Sequence, residues 1–123
     1  MKKDIPILID PRGYFGFTEL FGDPAYDWAK LYYSIVGNYD QFNLKRFVLK
    51  IEEKEVLLDI TSNHWEDMEE TFFDLLDDAI SEKQIKLIHA IIWLSLTTYA
   101  WEDYDSICGA FYKGLLVLRE VLT

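Results

Sequence analysis

A mainly helical α+β fold is what this sequence predicts. Three observations carry that reading. A short apolar run, Ile5 to Ile9, has the length and content of a buried strand. Two pentapeptides, Phe47-Val48-Leu49-Lys50-Ile51 and Val56-Leu57-Leu58-Asp59-Ile60, flank a charged Glu52-Glu53-Lys54-Glu55 and suggest a hairpin. Apolar residues recur at helical spacing through most of the remainder. Strand, helix, hairpin and then three helices is an α+β order.

Each element has its own signals. Pro6 is tolerable near the start of the first strand. Asp10-Pro11-Arg12-Gly13 ends it, because Pro11 holds Asp10 extended and Gly13 offers a turn. Tyr14 to Gly22 reads as an ordered aromatic loop. Asp23-Pro24 starts a helix, with Asp23 as N-cap and Pro24 in the first helical position. Its expected buried stripe is Trp28, Leu31, Tyr32 and Ile35, and Gly37-Asn38 supplies the stop.

After the hairpin, Asn63 with Glu66 predicts a capping box for a helix running to Ala79 on Trp65, Met68, Phe72, Leu75 and Leu76. Ser81 with Gln84 predicts another, for a helix to about Tyr99. That one is apolar nearly all round (Ile85, Leu87, Ile88, Ile91, Ile92, Trp93, Leu94, Leu96) and is expected to be the central buried element. Asp103 or Asp105 caps the last helix, which is expected to bury Ile107, Phe111, Leu115, Leu118 and Leu122.

Length and composition bound the function. The chain has 123 residues, room for one domain, 1–123, with one core. Half of it is hydrophobic and 16% aromatic, too much for a disordered segment. Twelve basic against 22 acidic residues leave a net charge of −10, which repels nucleic-acid backbones and anionic membranes. The longest apolar-rich run, Leu87 to Leu96, is about half a membrane span. A lone Cys108 excludes an intrachain disulfide framework and a cysteine-rich zinc site. It fits a reducing compartment. With only Ile5 to Ile9 apolar behind Met1-Lys2-Lys3, the N-terminus lacks a signal-peptide core, so a cytoplasmic location is expected.

Among the chemical candidates, Asp10 stands out by position. A carboxylate at the tip of a buried strand, before a glycine turn, is held rigidly while its oxygens face a crevice, as a Mg²⁺ ligand requires. Asp27, one turn into its helix, gains from the helix dipole and suits a bracing role. The acidic stretch Glu66 to Asp78 falls opposite the apolar stripe and reads as a solvated face. His89 reads as a satisfied core histidine and His64 as a surface one, since no metal-ligand spacing links them. Cys108 reads as a small packed residue. Glu102, Asp103 and Asp105 read as a capping cluster. The aromatics from Tyr14 to Tyr33 read as packing ahead of a ligand-stacking wall.

Ile7-Leu8-Ile9-Asp10-Pro11-Arg12-Gly13, followed by Gly22-Asp23-Pro24-Ala25-Tyr26-Asp27-Trp28-Ala29-Lys30-Leu31, resembles the metal-aspartate segment of the aminoglycoside-phosphotransferase and choline-kinase-like family and the helix after it. The Asp-Pro-Arg-Gly variant is similar to kinase-like proteins found near capsule and surface-sugar genes. The likeness runs over Ile7 to Tyr39. It is weaker in the later helices, at Ile91-Ile92-Trp93-Leu94-Ser95 and Phe111-Tyr112-Lys113-Gly114-Leu115.

The resemblance implies a partial protein-kinase-like C-terminal lobe acting with ATP and Mg²⁺ on a small alcohol or sugar hydroxyl. Asp10 would hold the metal against the β- and γ-phosphates, Arg12 and Gly13 would form the turn beside the cofactor, and Asp27 and Asp23 would be structural. No His-x-Asp pattern occurs anywhere in the chain, and nine residues precede Asp10. The nucleotide-covering lobe and catalytic loop of such kinases are therefore missing. The implied expectation is a truncated lobe, catalytically incompetent alone. The alternatives are one half of a split kinase or a stand-alone helical interaction module that forms a homodimer.

Overall fold

The computed structural model describes residues 14–15, 18–19, 24–76 and 78–123. The predicted strand Ile5–Ile9 and the residues Asp10, Arg12, Gly13 and Asp23 lie outside the described residues. The architecture is α+β and mainly helical, in the order β1 (Tyr14–Phe15), β2 (Thr18–Glu19), α1 (Pro24–Ile35), α2 (Tyr39–Asn43), β3 (Phe47–Ile51), β4 (Val56–Ile60), α3 (Glu69–Asp74), α4 (Glu82–Leu96) and α5 (Tyr104–Leu122). Within the expected aromatic loop, β1 and β2 pair antiparallel over two residues each. No helix among the described residues is long and apolar enough to cross a membrane.

The hairpin forms as its alternation requires. β3 and β4 pair antiparallel in the register Phe47↔Ile60 through Ile51↔Val56, and Glu52 N–H donates to the Glu55 carbonyl (2.8 Å) to close the turn. Phe47, Leu49, Val56, Leu58 and Ile60 turn inward, while Val48, Lys50, Leu57 and Asp59 turn outward. That is the period-2 pattern of a half-buried ribbon.

α1 starts at Pro24 as expected, but its core face is rotated from the expected one. Ala25, Ala29, Tyr32 and Tyr33 are buried, and Leu31 is 48% exposed. The small Ala25 and Ala29 let α1 lie close to its neighbours, and the two tyrosines fill the space beyond them. Tyr33 stacks on Tyr39 of α2 with ring centroids 4.3 Å apart, and Phe42 stacks on Phe47 at 4.2 Å. Among the described residues, Tyr26, Trp28, Tyr32 and Tyr33 thus belong to the core or its margin.

The helix expected from Asn63 to Ala79 is a correction. A short 3-10 turn, Glu66–Met68, leads into α3, which ends at Asp74. No capping box forms. Asn63 Oδ1 accepts from Trp65 N–H (2.7 Å) in an Asx turn, and the Glu66 carboxylate instead accepts from Asn38 Nδ2 and Ser62 Oγ (2.8 Å each). Phe72 and Phe73, adjacent in sequence, both pack against Tyr32. Trp65, Met68 and Leu75 are left exposed. Asp74 is the last residue of α3, at its carbonyl end, where negative charge opposes further helix.

α4 and α5 form the main helical layer. Ser81 Oγ accepts from Gln84 N–H (3.1 Å) and Asp103 Oδ2 from Ser106 N–H (3.0 Å), so both helices carry a side-chain N-cap, the Ser81 half of the expected box and Asp103 as the working one of its pair. Trp93 is fully buried at the centre, edge-on to Tyr33 and Phe42. α4 is nevertheless not buried all round, because Leu87 and Ile91 face outward. It also stops at Leu96. Ser95, Thr97 and Thr98 hydroxyls donate to carbonyls three residues back (2.7–2.9 Å), a local bonding mode that competes with continued helix.

α5 presents Ser106, Gly109, Ala110, Gly114 and Val117 to the core, whereas Phe111, Leu115 and Leu122 are exposed. Ile107 and Leu118 of the expected stripe are half-buried, and its other three residues point away from the interior. The cause is closeness of approach. A Cβ on Gly114 would sit 2.7 Å from Leu94 Cδ2, and one on Gly109 would sit 2.9 Å from Phe42 Cε2.

Candidate functional site

The polar chemistry of the described residues converges between α1, α3, α4 and α5. A cavity of about 160 Å³ there is lined by Tyr32, Glu69, Lys86, His89, Lys113 and Glu120, with apolar neighbours from the turn after α1 and from α5. Four elements contribute, so no local stretch of sequence announces the site.

His89 forms its wall from α4 and is 2% exposed. One turn later on the same helix, Trp93 Nε1–H donates to His89 Nε2 (2.9 Å). Because Nε2 accepts, the proton of the neutral ring sits on Nδ1, and Nδ1 is buried with no hydrogen-bond partner among the described residues. Burial, with Lys113 adding to it, pushes the His89 pKa down to about 3, so the ring is neutral at ordinary pH. Gly37, in the turn after α1, is what lets the ring lie so close. A Cβ there would meet Tyr33 O at 2.5 Å and His89 Nε2 at 2.6 Å.

The carboxylate and ammonium groups divide unevenly. Tyr32 Oη donates to Glu69 Oε1 (2.9 Å), and burial followed by that bond pushes the phenol well above its usual range. Lys86 bridges Glu82 (2.8 Å) and Glu69 (3.8 Å), and its hydrogen bond to Glu82 raises its pKa against the effect of burial. Glu69 and Lys86 are therefore committed to each other and to the frame. Lys113 is not. It is half-buried, takes no hydrogen bond or ion pair among the described residues, and burial lowers its pKa.

Other candidates resolve into structural parts. Asp27 is exposed in the first turn of α1. The acidic stretch is largely a solvated face, with Asp67, Glu70, Asp74 and Asp78 exposed, and its concavity of about 480 Å³ is shallow. Among the described residues no group of three or more potential ligands is placed to hold a metal ion. Glu66 and Glu69 depart from that face, because each reaches across to α1 or the turn after it.

His64 is exposed at positive φ (68°) in the turn before the 3-10 segment. Asp103 pairs with Lys45 (2.6 Å), and Lys45 also donates to Ser106 Oγ (2.5 Å). The Lys45 hydrogen bond, aided by Ser106, holds Asp103 below the usual carboxylate range. Cys108 is half-buried.

The sequence placed His89 in the core but not Lys113, Glu69 or Tyr32 beside it. The His-x-x-x-Trp spacing on α4 was the one available signal. Asp10, Arg12, Gly13 and Asp23, the residues implied by the family resemblance, lie outside the described residues, so only Asp27 of that set has a described position. Compared with family models, curated proteins and solved structures, the chain matches none.

Proposed function

We propose that this chain is the C-terminal lobe of a small-molecule phosphotransferase-like protein, silent in catalysis on its own. The observation that carries the reading is the order of two motifs. Asp10-Pro11-Arg12-Gly13 is followed by Gly22-Asp23-Pro24-x-Tyr26-Asp27, and α1 begins at Pro24 with Asp27 in its first turn. In this reading Asp10 holds Mg²⁺ against the nucleotide phosphates, Arg12 and Gly13 shape the turn beside it, and Asp27 with Asp23 braces the segment.

Phosphoryl transfer depends on positioning and charge stabilisation, with little covalent work for the protein. A site holding one metal ligand, with no His-x-Asp loop among the 123 residues, lacks the base and the nucleotide cradle. Its activity alone is negligible, not merely reduced. In this reading the base and the nucleotide cradle come from a nucleotide-binding half outside these 123 residues.

An ADP-release assay with ATP and Mg²⁺ tests this. The chain alone gives background turnover, and Asp10→Ala changes nothing. When a polypeptide carrying a Gly-rich lobe and a His-x-Asp…Asn loop is added, turnover on a small amino alcohol or sugar appears. Asp10→Ala then reduces it by about 10³-fold or more, as loss of a metal ligand at developing charge requires. Ordinary kinase turnover by the isolated chain would overturn the reading. So would a reconstituted pair indifferent to Asp10.

A further inference from the structure

We propose that the outer face of α5 is a self-association seam, on which two copies of this chain pair antiparallel across a two-fold axis. This stands apart from the phosphotransferase reading and does not depend on Asp10. Opposite the small residues that meet α4, the helix carries a second stripe. Tyr104, Cys108, Phe111, Leu115, Leu118 and Leu122 follow one another at steps of four, three, four, three and four residues. That alternation is the repeat of a coiled-coil seam, and it runs the whole length of the helix. The described residues leave it open. Tyr104 is 70% exposed, Phe111 44%, Leu115 40% and Leu122 68%, while Cys108 and Leu118 are half-buried.

Register, charge and area name a second copy as the occupant. Reversed end for end, the repeat meets itself: Phe111 lies against the partner's Leu115, Cys108 against the partner's Leu118, and Tyr104 against the partner's Leu122. Each contact occurs twice, as a two-fold requires. One flank of the seam carries Asp105, Tyr112 and Arg119, and the other carries Ile107, Gly114 and Val121, which are uncharged. In the reversed alignment Asp105 faces the partner's Arg119 at both ends. Both residues are exposed and form no ion pair among the described residues. A parallel alignment pairs neither. The flanks are thus neutral in sum although the chain is at −10, because carboxylates crowd instead around the concavity beside α3. The exposed seam leaves on the order of 450 Å² of apolar side chain on each copy, close to the roughly two-thirds apolar share of the about 800 Å² that each partner of a stable homodimer buries.

Sedimentation equilibrium on the full chain, from about 5 μM to 1 mM at fixed ionic strength, reads the association. A monomer–dimer equilibrium is expected, half-dissociated on the order of 10–100 μM, as suits an interface at the small end of the stable range. At the few-micromolar concentrations of an unfolding experiment the chain is then the monomer. Leu115→Asp, at a position already 40% exposed, removes the dimer and leaves the helical circular dichroism unchanged. Asp105→Arg sets like charges opposite each other at both ends of the seam, and so does Arg119→Asp. Each weakens the dimer by about tenfold, the scale of two exposed ion pairs turned repulsive.

Mixing those two single variants restores the affinity as a heterodimer, because every facing pair is again opposite in sign. The double variant D105R/R119D restores it as a homodimer for the same reason. An unaltered chain that stays monomeric to 1 mM overturns the proposal, and that measurement needs no variant. A dimer that survives Leu115→Asp overturns it as well, since the contact then lies on another face. A dimer lost in Leu115→Asp but indifferent to the charge reversals, or not rescued by mixing them, overturns the antiparallel pairing.

Discussion

His89 is buried in its neutral form, and this makes the stability of the fold depend on pH. Its folded pKa, depressed to about 3 by burial and then by Lys113, lies below the ordinary value of 6.5. Between those two values the unfolded chain takes up a proton that the folded chain refuses. The contribution is therefore complete above about pH 6.5 and declines as pH falls toward 3. From pH 7 to 5 the loss is about 2 kcal/mol.

Urea unfolding at those two pH values measures it, with His89→Gln as the control that keeps an acceptor for the Trp93 indole. The variant is expected to lose little over that interval. An equal decline in both proteins would place the titrating group elsewhere. At this scale the sequence was half legible. A histidine on an apolar helix, four residues before a tryptophan, belongs in a core and has a partner within reach. Its second nitrogen is orphaned by neighbours from α1 and α5, and no spacing along α4 encodes those.

α5 shows what periodicity leaves open at the scale of an element. Two stripes recur at helical spacing along it: Ile107, Phe111, Leu115, Leu118 and Leu122, and Ser106, Ala110, Gly114 and Val117. Side-chain size favours the first as the buried face, yet the second packs on α4, because the seam is set by how near two backbones can come. The cap at Ser81, the narrowing of the last cap to Asp103 or Asp105, and the hairpin itself were legible because each is decided by residues close in sequence. The facing of α1 and α5 was not, because it depends on the partner helix.

Gly114→Ala is expected to cost about 1–2 kcal/mol net, since the crowding against Leu94, including its backbone nitrogen at 3.1 Å, outweighs the helix-propensity gain of alanine. Phe111→Ser, at a side chain 44% exposed, is expected to cost less than about 1 kcal/mol. Denaturant midpoints for the two variants decide the matter. A larger loss at Phe111 than at Gly114 would mean that the size-based reading of the helix was right.

At the scale of the whole molecule, a net charge of −10 is legible in composition, but its crowding is not. Folding gathers Glu66, Asp67, Glu69, Glu70, Asp74 and Glu82 around one shallow concavity, and Lys86 bridges only Glu69 and Glu82 among them. Like charges so close raise the energy of the compact state, while the unfolded chain spreads them apart. Salt weakens that repulsion over a Debye length of about 10 Å at 0.1 M, so raising NaCl from about 0.02 to 0.5 M is expected to stabilise the fold.

A gain of about 0.5–1 kcal/mol corresponds to a Tm rise of roughly 2–5 °C for a domain of this size. Glu70→Gln and Asp74→Asn should each reproduce part of the gain at low salt and add little at high salt. The exposed Lys45–Asp103 pair responds in the opposite direction, but its exposure makes that loss small. CaCl₂ at matched ionic strength separates screening from binding. Screening gives the same Tm as NaCl, whereas a further rise would show that the carboxylates bind a divalent ion. A Tm that falls with added NaCl would mean that attractive pairs, not crowded carboxylates, dominate the electrostatics of this fold.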